Sequence, residues 1–154
     1  MKKTNLALYT VLLFGIRMAF PALAILIAMF LNYEIGSSGI SIIAPMIAAM
    51  IVGQQYGNRY GELIPQSEVT RFARRAIFVA IAAEAITSLV WGYLLMGAEF
   101  IQFLSSVAQA DGKILMVAVI LFLFVLTYFV NRWCVQMGAK GALKSRLRKT
   151  QLGK

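Results

Sequence analysis

Long apolar runs separated by short polar stretches dominate this chain, and their lengths decide what each can become. Leu6 to Leu31 gives 26 mainly apolar residues, roughly 39 Å as an α-helix against a bilayer core of about 30 Å. The run predicts a tilted or kinked span. Pro21 supplies a cause, because it cannot donate to the carbonyl of Arg17 four residues earlier. The next apolar core, Ile40 to Val52, is only 13 residues, about 20 Å. It begins after a helix cap at Ser37 and Ser38 and contains Pro45. By itself it could be a re-entrant hairpin; continued through Gln54, Gln55 and Tyr56 towards Tyr60, it becomes long enough to cross.

After Pro65, Ser67 is a good cap residue, and Glu68 follows in the first turn, where a carboxylate suits the helix dipole. A long third helix is expected from there, entering the membrane near Ala76 and ending at Met96. Phe100 to Val107 suits a short interfacial helix with Phe100, Ile101, Phe103 and Leu104 on its apolar side. The fourth span starts at Lys113 and is apolar on every face, as expected of a lipid-facing helix. The expected organisation is one integral membrane domain, an all-α bundle of four spans at about 6–31, 39–58, 76–96 and 113–135. A basic, partly helical tail follows at 138–154.

Charge placement favours a full second crossing. The segments that four spans would leave on one side hold Lys2, Lys3, Arg59, Arg71, Arg74, Arg75, Arg132, Lys140, Lys144, Arg146, Arg148, Lys149 and Lys154, which is 13 of the 15 basic residues. Glu34, Glu99 and Asp111 fall in or beside the other two loops. By the positive-inside rule, both termini are then cytoplasmic, in a bacterial inner membrane; three spans would strand the arginine loop or one terminus on the wrong side. Composition agrees: the chain is 60% hydrophobic, with mean hydropathy +0.78, too apolar for a soluble domain of 154 residues. A net charge of +9 beside such spans points to anionic lipid headgroups rather than nucleic acid. Lys2 and Lys3 before an apolar run resemble a secretory signal, with Ala22-Leu23-Ala24 as a small-x-small site. Arg17 within the run and its continuation to Leu31 favour an uncleaved span.

Two ionisable residues fall well inside spans, away from their ends, Arg17 and Glu84. Each costs about 2.5 to 3.5 kcal/mol at mid-membrane on insertion scales, so both should face the bundle interior or water. They lie roughly 16 and 12 Å from the inner ends of their helices, depths that allow pairing. The pair can be a structural clamp between the first and third helices. Alternatively it is a site in which Glu84 loads a proton or cation, or Arg17 holds an anion. The third possibility is that they do not meet and Arg17 snorkels.

Ala49, Gly53, Gly57 and Gly61 form a small-x-x-x-small row, and Ala76, Ala80, Glu84, Ser88 and Gly92 form a second on the third helix. Packing of the two rows against each other is expected, making a close hairpin of the second and third helices; an oligomer interface or substrate path is the alternative. Gln54, Gln55, Asn58 and Arg59 cluster where the second helix leaves the membrane, as a solvated end or a polar vestibule.

No cofactor or metal site is expected. Histidine is absent, the one cysteine, Cys134, reads as a packing residue, and no phosphate-binding Gly-rich loop with Lys-Ser or Lys-Thr occurs. A single aspartate is too few for an intramembrane aspartyl protease, and the chain is expected not to be an enzyme.

Pro45-Met46-Ile47-Ala48-Ala49-Met50, then Gly53-Gln54, Arg59, Gly61, Pro65, Glu68 and Arg71, resemble a family of small uncharacterised bacterial inner-membrane proteins. The resemblance implies four spans and carries no catalytic residue. Small size, sparse outer loops and abundant helix-contact surface suggest a non-enzymatic protein that binds another membrane protein, for example an immunity protein against a membrane-inserting toxin. A homo-oligomeric transporter or channel using Glu84 and Arg17, and an accessory subunit of a membrane complex, are the alternatives.

Overall fold

A computed structural model describes residues 3–31, 40–109 and 113–152. The apolar runs all become helices: α1 Leu6–Leu31, α2 Ile40–Tyr60, α3 Gln66–Met96, α4 Glu99–Gln109 and α5 Lys113–Leu152. There is no strand among the described residues. Three helices, α1, α3 and α5, are long and apolar enough to cross a membrane, which makes this a membrane protein by length and composition. α2 does not reach that mark.

Two boundaries differ from expectation. Pro65, not Ser67, stands at the N-cap of α3, so Ser67 lies inside the first turn and no side chain caps the helix; proline's fixed φ already suits a helix entry. The expected last span and basic tail are one uninterrupted helix of 40 residues. The expected cap at Ser37 and Ser38 lies outside the described residues.

Contacts give each helix its direction. Along α1 and α3, Thr4 meets Glu68, Tyr9 meets Phe72 edge-on at 5.4 Å, and Arg17 meets Glu84, so numbers rise together and the helices are parallel. Along α2 and α5, Met50 and Gln54 lie against Gly138, and Gly57 lies against Ala139 and Ala142; this pair is also parallel. Tyr9 bonds to Asn131 while Arg17 and Thr127 share a pocket wall further along, so α1 runs opposite to α5.

The tightest interface joins α2 to α5, which corrects the expectation that α2 pairs closely with α3. A Cβ added to Gly53 would overlap the Val135 carbonyl, and one added to Gly138 would overlap the Met50 carbonyl. Each helix therefore offers a glycine to the other's backbone, the close approach that small residues permit. Gly61 is not part of this seam. It ends α2 with φ 68° and donates its N–H to the Gly57 carbonyl at 2.9 Å, a left-handed position that suits glycine. Beside it, Arg146 donates to the Asn58 carbonyl.

The core is concentrated at one end. Tyr9, Leu13, Pro45, Ala48, Val52, Val69, Phe72, Asn131 and Val135 are fully buried, and this end carries Lys3, Arg71, Arg75, Lys140 and Arg146. Towards the other end, Leu26, Met29, Phe30, Leu94, Leu95, Leu121 and Phe122 are all exposed.

Candidate functional site

The intramembrane pair anticipated from depth alone is formed: Arg17 on α1 makes an ion pair with Glu84 on α3. Their helices are parallel, and each residue lies along a line of contacts that starts at Thr4–Glu68 and passes through Tyr9–Phe72. The register thus follows from packing at the basic end. The two partners differ in surroundings: the Arg17 side chain is 6% exposed and that of Glu84 is 46% exposed.

Glu84 faces a pocket of about 170 Å³, walled by Ile42, Ile77, Ile81, Ile120, Leu123 and Phe124, with Arg17, Ala80 and Thr127 completing it. At roughly 10–15 Å³ per water, that volume accommodates a ligand of a dozen or so heavy atoms. The Thr127 hydroxyl donates to its own helix at the Leu123 carbonyl, 2.8 Å away. The pocket is thus a greasy recess with a charged floor, built from four helices. Ile42 places the first turns of α2 at the depth of the ion pair.

Near it lies a polar contact that sequence reading missed. The Tyr9 hydroxyl donates to Asn131 Oδ1 at 3.1 Å, with both residues fully buried. Tyr9 sits in an apolar run and Asn131 next to Arg132, where it reads as a solvated helix end; only tertiary packing brings them together. From the sequence, Glu68 has only a local role as a carboxylate that suits the helix dipole. Its Oε1 instead accepts from the Thr4 backbone N–H at 3.0 Å and the Thr4 hydroxyl at 3.1 Å, and its Oε2 pairs with Arg71 at 2.9 Å.

The remaining anticipated residues separate into three groups. Ala49, Gly53 and Gly57 are buried, and the two glycines face α5. On α3, Ala80 is buried at the pocket wall, Ser88 is exposed, and Gly92 lies under the Phe100 ring of α4. The α3 row therefore does not form one face against α2, because its members meet α1, α4 and the surface in turn. Gln54, Gln55, Asn58 and Arg59 are exposed and line none of the pockets described, which fits a solvated helix end rather than a vestibule. Cys134 is buried.

No family model, no curated protein and no solved structure matches this chain.

Proposed function

We propose that this is a four-span inner-membrane protein with both termini cytoplasmic, and that it binds lipophilic organic cations at the Arg17–Glu84 pocket as a small homo-oligomeric carrier. The observation that carries the ligand class is the unequal exposure of the pair. Both partners line the pocket, but the Glu84 side chain is much the more exposed, so an entering ligand meets the carboxylate more than the guanidinium. Aliphatic walls and the Phe124 ring suit an apolar body, and an aromatic face also attracts a cation. The carboxylate then exchanges between Arg17 and the entering cation.

Support for four crossings comes from helix sense together with charge. Alternate crossings require α1 and α3 to run one way and α2 and α5 the other, which is the arrangement that the contacts describe. The test is saturable binding of phenyltrimethylammonium, a lipophilic cation whose size suits the pocket, to the purified protein and its flux in proteoliposomes. Wild type is expected to bind, and Glu84→Gln to weaken binding at least tenfold while remaining folded. Equal binding by Glu84→Gln would overturn the assignment.

A second reading, binding of another membrane protein as an immunity protein or accessory subunit, is favoured by a different observation. The buried core stops near Arg17 and Thr87, and beyond it α1, α3 and α5 expose Met29, Phe30, Leu94, Leu95 and Phe122. Photo-crosslinkers at Phe30 and Leu94 should capture a stoichiometric protein partner under this reading and only lipid under the first.

A further inference from the structure

A second recess lies at the opposite end of the α1–α3 interface, lined by Lys3, Thr4, Leu6, Glu68, Arg71, Phe72 and Arg75. Its volume is about 40 Å³, space for some three waters at roughly 10–15 Å³ each, which is the scale of one phosphate group. Three cationic side chains meet here against one carboxylate. That carboxylate is already occupied, since the Glu68 oxygens accept from Thr4 and pair with Arg71. Lys3 and Arg75 are exposed and, among the described residues, have no hydrogen bond or ion pair that neutralises them.

Independently of the cation pocket, the geometry points to a specific binding site for the headgroup of an anionic phospholipid, with the phosphate held by Lys3, Arg71 and Arg75. Charge complementarity selects the anion, and arginine can donate two parallel N–H groups to a phosphate. Position selects the lipid over a soluble anion. Leu6 opens α1 and Phe72 lies one turn before Ala76, where α3 begins its apolar course, so a headgroup seated here directs its acyl chains along the α1–α3 surface. Basic pockets between helices on the cytoplasmic side are recurrent headgroup sites. The Thr4–Glu68–Arg71 network fixes the recess by tying the start of α1 to α3.

The test is thermal unfolding of the full chain in uncharged detergent with added dioctanoyl phosphatidylglycerol, dioctanoyl phosphatidylcholine or inorganic phosphate. Phosphatidylglycerol should raise the midpoint of wild type by several degrees, and the other two should not. Lys3→Gln with Arg75→Gln leaves the Glu68–Arg71 pair intact, so it should fold and lose most of the shift. Lys144→Gln with Lys149→Gln removes equal charge from the exposed end of α5 and should keep the shift. A shift of equal size with phosphatidylcholine or with phosphate would overturn the proposal. So would equal loss in both double variants, which would mark the effect as diffuse charge attraction.

Discussion

Arg17 and Glu84 illustrate how much one buried charge constrains a membrane chain. Removing one partner leaves the other without its counter-ion, a loss that reaches about 3–5 kcal/mol for a buried pair, whereas replacing both by apolar residues is often neutral. Glu84→Leu takes this carboxylate from a guanidinium that is nearly inaccessible, whereas Arg17→Leu takes the guanidinium from a carboxylate that is half exposed. Glu84→Leu should therefore be the more destabilising, and Arg17→Leu with Glu84→Leu should recover most of the loss in reversible unfolding in detergent. If the double variant is no more stable than Glu84→Leu, the pair does not act as a clamp. Tyr9 and Asn131 follow the same logic with neutral groups: Tyr9→Phe should cost about 1–3 kcal/mol by leaving a buried Asn131 oxygen without its donor.

Helix pairing could be read only in part. The Gly53 and Gly57 spacing announced a close contact, but a row of small residues does not name its partner. The partner row on α5, Gly138, Ala139 and Ala142, sits in what reads as a polar tail, because Lys140, Lys144 and Arg146 dominate that stretch. The helix continues through it, and its small face meets α2 while the lysines remain exposed. The ion pair was legible because a charge in an apolar run has few places to go; Tyr9–Asn131 was not, since neither residue is unusual locally. At this scale, Gly138→Leu or Gly57→Leu should reduce the yield of folded protein severely, and Leu121→Ala, on an exposed face of α5, should leave it near wild type. Gly141→Ala meets nothing within 4 Å and should stabilise the helix by about 0.5–1 kcal/mol. Size-exclusion profiles and thermal midpoints would rank the four variants, and a milder effect of Gly138→Leu than of Leu121→Ala would contradict the α2–α5 seam.

For the molecule as a whole, the apolar run lengths gave the helices and charge asymmetry gave an expected orientation, but the position of the core was not visible in either. Burial gathers at the basic end because the small residues of α2 and the buried aromatics Tyr9 and Phe72 are there. The far halves of α1, α3 and α5 offer large apolar side chains to their surroundings instead. The topology proposal predicts that cysteines placed singly at Lys3 and Lys149, in a Cys134→Ala background, both react with a membrane-impermeant maleimide only after the cytoplasmic side is opened. Reaction of one but not the other in intact spheroplasts would require an odd number of crossings.

The unbroken course of α5 has a mechanical side. Its 40 residues make a rod of roughly 60 Å, held near its middle by the glycine seam and beyond that by the Arg146–Asn58 bond. On the opposite side of the seam, Leu123, Phe124 and Thr127 wall the pocket beside Glu84. A tilt of about 5° pivoting at Gly138 would carry Leu123, roughly 22 Å along the rod, sideways by about 2 Å. If α5 tilts as one body, its exposed arm is a lever on the pocket's width, and a pull on that end is expected to change the space beside Glu84 without touching it.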